Sequence, residues 1–332
     1  MIVHLQIETP SRLHFSLIDL NGDLGRINGS LGVALDFPRW KIDGFLNNRN
    51  ILMTNSKYES SVKQIIKNLG KKSIKSEKGI TINISEEIPS HSGLGSTTQF
   101  SLAIGTLITK LNNYNIKTQE LATYVKRGGT SGIGVGAFEG GGIILDGGHS
   151  FGVNQQTTAF LPSSKSNAPP PPILFRHFPP DNWRFIIIVP NRIKGLSGKK
   201  EIDLFKQHCP IPKEDVEKLC RLILMKILPA IVEGNIKIFG EGLTDIQTKF
   251  SRFGMEKYDN SIVAEVLTFL RKNPNIYSTG ISSFGPTIYA LSNSVDEINA
   301  TINYLKSSFG PSKFKLLLSS NINRTGAKIS HI

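Results

Sequence analysis

The feature that most limits how this chain can fold is a glycine-hinged loop between an alternating strand and a long apolar helix. Residues 79–85 alternate apolar and polar side chains, as a half-buried strand does. After the loop, apolar residues recur with helical spacing at Phe100, Ala103, Ile104, Leu107, Ile108 and Leu111. The loop and the first helical turn read Pro89-Ser90-His91-Ser92-Gly93-Leu94-Gly95-Ser96-Thr97-Thr98. The order strand, loop and helix indicates an anion site, because the N–H groups of a helix's first turn lack partners within the helix.

Two properties of the loop favour a phosphate or diphosphate as that anion. Gly93 and Gly95 allow a tight turn and a close approach of the backbone to a ligand. The hydroxyls of Ser96, Thr97 and Thr98 can donate hydrogen bonds or ligate a phosphate-bound Mg²⁺. The loop lacks the lysine of a Walker motif, and the alternative is a plain turn whose Ser and Thr side chains only cap the helix. The long apolar helix and the Ile-Pro dipeptide before the loop favour the phosphate.

The composition is that of a folded, water-soluble protein. The chain has 332 residues, of which 39% are apolar and 20% charged, so it can bury a core. Its longest apolar stretch, residues 219–232, is interrupted by basic residues and a proline, which excludes a membrane-spanning helix of ~18 residues. The N-terminus alternates apolar and polar residues without a signal-peptide layout, which predicts a cytoplasmic location.

The net charge of +13 favours an anionic partner, either a phosphorylated small molecule or a nucleic acid. The lysines are scattered and show no basic motif interleaved with aromatic residues, so no nucleic-acid partner is predicted. Cys209 and Cys220 form no CxxC pair and are predicted to be buried small hydrophobes. The seven histidines form no HExxH motif or close cluster, which argues against a structural zinc site.

Strand and helix patterns predict an α+β fold with two domains. Strands are predicted at residues 2–8, 12–19, 32–36, 79–85, 183–189, 287–291 and 314–318. Besides the helix after the loop, helices are predicted at 58–69, 118–126, 212–234, 235–249, 259–272 and 294–309, the last with a capping box of Ser294 and Glu297. Prolines 169–172 and 179–180 indicate an extended crossover. The predicted domains are therefore 1–160 and 183–332, joined by a proline-rich crossover at 161–182.

Three strings resemble motifs of the GHMP small-molecule kinase superfamily. Pro89-x-x-x-Gly93-Leu94-Gly95-Ser96-Thr97 matches its phosphate-loop motif, PxxxGLGSS. Residues 279–287 are similar to its glycine-rich C-terminal motif, and residues 10–15 resemble its opening strand motif. The resemblance implies a GHMP-kinase-like two-domain fold, with an N-terminal ribosomal-protein-S5-like domain and a C-terminal ferredoxin-like domain.

Further strings narrow the resemblance to the β-ribofuranosylaminobenzene 5′-phosphate synthases, also called β-ribofuranosylphenol 5′-phosphate synthases. They lie at residues 12–15, 19–22, 25–26, 127–139, 146–150 and 168–172 and span most of the chain. The resemblance implies an early step of methanopterin biosynthesis, in which phosphoribosyl diphosphate and 4-aminobenzoate or 4-hydroxybenzoate form a C-riboside with release of CO₂ and diphosphate. It also implies Mg²⁺ as cofactor and a homodimer, and it leaves the choice between the two acceptors open.

One departure from the superfamily bears on the mechanism. Many GHMP kinases carry SGxD in their second glycine-rich region, and this Asp serves the acceptor hydroxyl; here the string is Ser131-Gly132-Ile133-Gly134. A kinase must accept the proton of its acceptor, so the loss argues against phosphoryl transfer unless Glu139 or Asp146 substitutes. Two other classes stay open, an ATP-dependent small-molecule kinase and a non-catalytic module that binds RNA or another protein.

The resemblance and the residue chemistry together predict a set of site residues. The predicted substrate-binding residues are Arg12, Gly93, Leu94, Gly95, Ser96, Thr97, Thr98, Arg127 and His149. Among them, Arg127, beside Gly128-Gly129, is the candidate ligand for the 5′-phosphate. Asp19 and Arg26 are the predicted catalytic residues, and Asp19 and Ser96 the predicted Mg²⁺ ligands. The alternatives are a turn cap for Asp19 and His149 and a solvated surface side chain for Arg26. His14 is predicted to be a buried core histidine.

Overall fold

The computed structural model describes residues 3–48, 51–74, 78–163, 165–193, 195, 198–250 and 261–332. The predicted beginnings of the first strand, at residue 2, and of the helix at residues 259–260 lie outside the described residues. The described strands are β1 His4–Asp19, β2 Arg26–Asn47, β3 Leu52–Met53, β4 Gly79–Glu86, β5 Ile143–Asp146, β6 His149–Ser150, β7 Ile173–His177, β8 Arg184–Pro190, β9 Ser278–Ile281, β10 Ile288–Ser292, β11 Phe314–Asn321 and β12 Lys328–His331. The described helices are α1 Glu59–Gly70, α2 Ser96–Leu111, α3 Thr118–Tyr124, α4 Ile133–Gly140, α5 Lys199–His208, α6 Lys213–Leu222, α7 Leu228–Val232, α8 Ile236–Asp245, α9 Ile262–Arg271 and α10 Val295–Phe309.

The first sheet is built on two long antiparallel strands, β1 and β2. Its path runs β12, β1, β2, β4 and β3, while β5 and β6 also pair with β2, and β7 pairs with β5. β1 continues through Pro10 because the register shifts between Thr9 and Ser11, and the resulting irregularity accommodates a residue that cannot donate a hydrogen bond. β2 extends well beyond the predicted residues 32–36 at both ends.

α2 is the central helix of this half of the molecule. It is buried nearly all round, and it contacts β1 and β2 on one side and α1, α3 and α4 on others. Trp40 of β2 fixes its beginning, because the indole Nε1 donates to the carbonyl of Ser96 at 3.0 Å and the ring packs on Phe100. The sheet therefore positions the loop that precedes α2.

The second sheet has four antiparallel strands in the order β11, β8, β10 and β9. β8 is buried on both faces, so its apolar residues run without interruption. Phe185 and Ile187 face the core shared with the first sheet, whereas Ile186 and Ile188 face a second core under α9 and α10. The ring of Phe15 on β1 meets those of Phe185 and Tyr289. The two sheets are thus joined by one apolar core.

Two strands from outside residues 1–160 complete the first sheet. β7, within the predicted crossover, pairs with β5, and β12 pairs with β1. The sequence patterns miss both strands, because each is short and largely solvent-accessible and so lacks a buried apolar face. The α+β class is confirmed, and the division of the chain into domains stays a prediction.

Two local predictions need correction. Cys220 is exposed, because α6 turns only Val216 and Leu219 into the core, and Cys209, at the end of α5, is half-buried. The capping box forms only in part: Ser294 Oγ accepts from the N–H of Glu297 at 3.2 Å, while the Glu297 carboxylate accepts from two asparagine side chains instead. In the described part of the chain, no helix has the length and apolarity needed to cross a membrane.

Candidate active site

The loop of residues 91–95 leads directly into the first turn of α2. Gly93 has φ +90° and Gly95 has φ +80°, values that residues with a Cβ rarely adopt. Gly95 is the N-cap residue of α2, and no side chain among the described residues caps the helix. The alternative of a plain Ser or Thr cap is therefore wrong, and the helix begins with N–H groups oriented for an external acceptor.

The carbonyl of Gly93 accepts hydrogen bonds from two side chains. Arg12 donates to it through Nη1 and Ser282 through Oγ, the latter at 2.7 Å. The backbone N–H of Arg12 also donates to the carbonyl of Leu94 at 3.1 Å. A Cβ on Gly93 would lie 2.4 Å from the carbonyl oxygen of Ser282. β1 and residue 282 thus determine the loop conformation, and only glycine fits at position 93.

The glycine-rich segment 279–287 lies against both β1 and the loop. The N–H of Ser283 donates to the carbonyl of His14 at 2.9 Å. In return, the N–H of His14 donates to Ser282 Oγ at 3.0 Å. The candidate site is therefore assembled where the two sheets meet, from segments nearly 270 positions apart in the chain.

Arg12 gives the loop a buried positive charge. Burial lowers the pKa of Arg12 to about 10, so it stays protonated at neutral pH, and it forms no ion pair with any described residue. Burial, and then the charge of Arg12, lower the pKa of His14 to about 3, so this buried histidine is neutral. A buried guanidinium without a counter-ion is costly, and a bound anion next to the loop would compensate it.

A cavity of about 570 Å³ lies beside the first turn of α2. Thr97 and Phe100 line it from α2, and Arg127 lines it from the segment after α3. Thr97 is exposed, whereas the Ser96 hydroxyl is buried and donates to the carbonyl of Ile88 at 2.8 Å. The structure therefore brings Thr97 and Arg127 together, but it turns the Ser96 hydroxyl into the protein.

Asp19 and Arg26 lie at the two ends of the turn between β1 and β2. Asp19 Oδ1 accepts from the backbone N–H groups of Asn21 at 2.8 Å and Gly22 at 3.0 Å, as the turn-cap alternative predicts. Arg26 is exposed and donates through Nη1 to both carbonyls of the glycine pair 147–148. Among the described residues, no group of three or more His, Cys, Asp or Glu is placed to hold a metal ion.

His149 is fully buried and uses both of its ring nitrogens. Nδ1 lies 3.2 Å from Asn28 Nδ2, and Nε2 lies 2.9 Å from the carbonyl oxygen of Pro169. These contacts assign the neutral tautomer protonated at Nε2, and burial lowers the pKa of the ring accordingly. The ring joins β2 to the proline-rich segment, and neither nitrogen is left to bind an anion.

Known proteins similar to this chain identify its family. A sequence model described as "GHMP kinases N terminal domain" matches residues 60–142. The β-ribofuranosylphenol 5′-phosphate synthase of Methanocaldococcus jannaschii is 42% identical over 86% of this chain and 88% of its own length. The enzyme of the same name from Methanothermobacter thermautotrophicus is 39% identical over 88% of this chain and 89% of its own. The chain belongs to the β-ribofuranosylphenol 5′-phosphate synthase family.

Solved structures show that this member of the synthase family has the GHMP kinase fold. Homoserine kinase from Cytophaga hutchinsonii matches 98% of this chain and 97% of its own with a TM-score of 0.63 and 16% identity. Galactokinase from Lactococcus lactis, solved with galactose, matches 98% of this chain and 95% of its own with a TM-score of 0.62 and 15% identity. The fold predicted from the resemblance is confirmed, and at these identities the likeness concerns the fold alone.

This chain has no carboxylate at position 134, where the SGxD string of many GHMP kinases has its Asp. Gly134 lies in the first turn of α4, and a Cβ there would lie 3.0 Å from Cγ2 of Thr98. Both candidate substitutes are engaged: Glu139 pairs with Arg176 at 3.4 Å, and Asp146 accepts from two backbone N–H groups at 2.8 and 3.0 Å. Both carboxylates thus already have partners in the fold, which weighs against phosphoryl transfer.

Substitution of the buried Asp146 should change how stability depends on pH. Burial raises the pKa of Asp146 from 3.8 to about 6, so the folded protein retains a proton that the unfolded chain releases. This contribution to stability is complete below pH 3.8 and is lost as the pH rises through about 6. The comparison is between the free energies of unfolding of Asp146→Asn and of the natural protein. The variant's value minus the natural protein's should rise as the pH increases from 3.8 to about 6, by up to about 1.4 kcal/mol per pH unit. Urea unfolding at several pH values measures it, and a difference that falls or stays flat would contradict the prediction.

Ser282 is the residue of the site that sequence reasoning missed. The sequence marks residues 279–287 only as a glycine-rich motif. In the structure, Ser282 is fully buried and links the N–H of His14 to the carbonyl of Gly93. A serine within a glycine-rich segment is a signal for a loop contact, but which loop it contacts depends on how the two sheets meet.

Proposed function

We propose that the protein is a decarboxylating C-ribosyltransferase that joins phosphoribosyl diphosphate to 4-hydroxybenzoate or 4-aminobenzoate and releases CO₂ and diphosphate. The observation that carries the proposal is the identity of 38% to 42% with three proteins named β-ribofuranosylphenol 5′-phosphate synthase. That name favours the hydroxy acid as acceptor. The uncapped first turn of α2, next to the buried charge of Arg12, supports a diphosphate substrate at the loop.

Departure of diphosphate builds negative charge at the oxygen that leaves the anomeric carbon. The backbone N–H groups at the beginning of α2 and the positive end of the helix dipole would stabilise this charge. Thr97, exposed at the second position of α2, would add a hydroxyl donor, and Arg12 would act through its charge and its hold on the carbonyl of Gly93. These groups are preorganised, because β1 and residue 282 determine the loop conformation.

Mg²⁺ is the proposed cofactor, and the two predicted ligands fit it unequally. Mg²⁺ commonly takes one or two carboxylates together with substrate phosphates. Asp19 meets this pattern, since the turn engages Oδ1 and leaves Oδ2 as the candidate ligand. Ser96 does not, because its hydroxyl is buried and donates to the carbonyl of Ile88. When bound, Mg²⁺ would neutralise charge on the leaving diphosphate.

The carbon–carbon bond forms without a general base. As the bond from the anomeric carbon to diphosphate breaks, cationic character develops on the sugar, and the ring carbon that bears the carboxylate attacks it. The bond to the carboxylate then breaks, CO₂ leaves, and its electron pair restores the aromatic ring. No ring proton is removed, so a site in which Glu139 and Asp146 are engaged and position 134 is glycine suits this reaction.

The same proposal includes a binding role for Arg26, a homodimeric assembly and a cytoplasmic location. The Arg26 guanidinium is exposed, so N–H groups other than the engaged Nη1 can bind a phosphate or the benzoate carboxylate. The homodimer implied by the resemblance can be tested by light scattering, and the cytoplasmic location by cell fractionation.

The deciding experiment is release of labelled CO₂ from carboxyl-labelled 4-hydroxybenzoate and 4-aminobenzoate, with and without Mg²⁺. We expect release that depends on phosphoribosyl diphosphate and Mg²⁺. In Thr97→Val, the KM for the diphosphate substrate should rise about tenfold, because one hydrogen bond to a charged group is lost. Thr268→Val, the same exchange on an exposed position of α9, is the matched control. Phosphorylation of a small alcohol by ATP without CO₂ release would refute the proposal in favour of a kinase.

A further inference from the structure

The proline-rich segment forms one wall of the cavity beside α2. Ser166 Oγ donates to the carbonyl of Gly129, and Thr130 Oγ1 donates to the carbonyl of Leu161 at 2.8 Å. These bonds hold the segment against the loop that follows α3, and Ser163, Ser166 and Asn167 line the cavity there. The crossover therefore contributes hydroxyl and amide groups to a cavity, beyond its role as a connection.

The charged side chains among the described residues that line the cavity are all basic. Arg127 lines it, and the Arg127 side chain forms no hydrogen bond or ion pair with any described residue; its Nε is buried without a partner. Burial alone lowers the pKa of this guanidinium. No acidic residue is among the described residues that line the cavity. A buried cation without a counter-ion is destabilising, so this position is suited to an anion supplied by a ligand.

The cavity presents positive groups at two separate places. One is the beginning of α2, marked by Thr97, and the other is the segment after α3, which contributes Lys126 and Arg127. A nucleotide has its phosphates at one end and a neutral base at the other, which would leave one positive place without an anion. Phosphoribosyl diphosphate carries an anion at each end of a pentose and matches both. Its volume also suits a cavity of about 570 Å³.

The remaining walls match a pentose. Ser61 and Gln64 of α1 and Thr97 and Ser101 of α2 all line the cavity, so both helices contribute hydroxyl or amide groups to it. The ring of Phe100, backed by Tyr58 with ring centroids 5.0 Å apart, supplies a flat apolar surface. Polar groups around an apolar floor are suited to a sugar, which has both hydroxyls and C–H faces.

We infer that this cavity binds the ribose 5-phosphate part of the donor, with the phosphate monoester on Arg127 and the pentose between α1, α2 and the side chains of Ser163, Ser166 and Asn167. The inference rests on the proposed function for the identity of the donor. It assigns binding roles to α1 and to the proline-rich segment, and it places the diphosphate end at the beginning of α2.

Binding of ribose 5-phosphate to the full chain, by calorimetry and thermal unfolding, tests this without the chemical step. We expect binding that raises the unfolding temperature, with no comparable effect of unphosphorylated ribose. Arg127→Met should weaken binding about tenfold to 100-fold, since a charge-assisted contact is lost. Ser61→Phe should weaken it by filling the cavity, whereas Ser308→Phe, the same exchange on an exposed position of α10, should leave it unchanged.

Two outcomes would overturn the inference. One is ribose 5-phosphate binding that is equally tight in Arg127→Met and Ser61→Phe, with both variants folded by their unfolding curves. The other is AMP that binds more tightly than ribose 5-phosphate and loses affinity in the same two variants, which would make the cavity a nucleotide site. If CO₂ release depends on phosphoribosyl diphosphate while Arg127→Met binds normally, the proposed function stands and only this inference falls.

Discussion

Gly93→Ala is expected to abolish synthase activity and to destabilise the protein. The new Cβ would lie 2.4 Å from the carbonyl oxygen of Ser282 and 3.2 Å from that of Gly285, and both obstacles are backbone atoms. The φ of +90° adds a conformational cost for any residue with a Cβ. The free energy of unfolding should fall by about 2–4 kcal/mol. Activity should fall by more than about 100-fold, because the loop can relieve the clash only by moving the N–H groups that we propose bind the diphosphate.

Gly310→Ala separates the two causes of this effect. Gly310 has φ +82°, close to that of Gly93, but a Cβ there meets no atom within 4 Å. Because its ψ of 136° lies outside the αL region, this variant should show only a conformational cost, about 1–3 kcal/mol, with full activity. Urea unfolding and the CO₂-release assay measure both variants. If Gly93→Ala were as active and as stable as Gly310→Ala, the loop would not be held against residue 282 as described.

Arg12→Met is expected to remove most activity while leaving the protein nearly as stable. The side chain donates to the carbonyl of Gly93 and is the buried cation nearest to the loop. Methionine has a similar shape, and replacing a buried charge by an apolar side chain is often neutral or stabilising. Activity should fall by about 100-fold or more, because both a positioning contact and a charge next to the proposed diphosphate site are lost.

The same variant should also change the titration of His14. The charge of Arg12 is the second cause of the low pKa of His14, after burial. Its removal should raise this pKa, which should nevertheless remain below the ordinary 6.5 because burial persists. NMR titration of the histidine signals measures the change. A His14 pKa that is unaltered in Arg12→Met would mean that the two side chains do not interact as described.

Arg39→Met is the matched control for the Arg12 exchange. Arg39 binds both carboxylate oxygens of Glu86, each at 2.8 Å, and also pairs with Glu8. Removing it should lower the free energy of unfolding by about 1 kcal/mol, since Glu86 loses its bidentate partner while Glu8 keeps Lys41. Activity should remain near that of the natural protein. If both variants lost activity equally, the effect of Arg12→Met would be a general one rather than one on the loop.

Much of the site was predictable because its signals are local. The glycines at 93 and 95, the hydroxyl residues after them and the apolar stripe of α2 predict a loop that begins an uncapped helix, and the structure has this arrangement. Gly134 in place of a kinase Asp can be read directly from the sequence. Such features depend on backbone geometry over a few residues, and the printed residues therefore specify them.

Individual side-chain roles were less predictable, because they depend on contacts with distant parts of the chain. The hydroxyl of Ser96 is a candidate ligand in the sequence, but its position in the first turn of α2 directs it to the carbonyl of Ile88. His149 is a candidate ligand as well, yet both ring nitrogens are engaged by Asn28 and Pro169. No local sequence pattern predicts which distant group such a side chain will contact.

The sequence by itself determined the α+β class, the glycine-hinged loop before α2 and the family, because hydrophobic periodicity, glycine positions and motif strings are properties of the printed order of residues. Only the tertiary structure decided that Ser282 and Arg12 hold the carbonyl of Gly93 and that Arg127 lines a cavity without a described partner. The physical reason is that these contacts exist only after the two sheets pack on one core. Their geometry is then determined by strand register and burial across segments far apart in the chain.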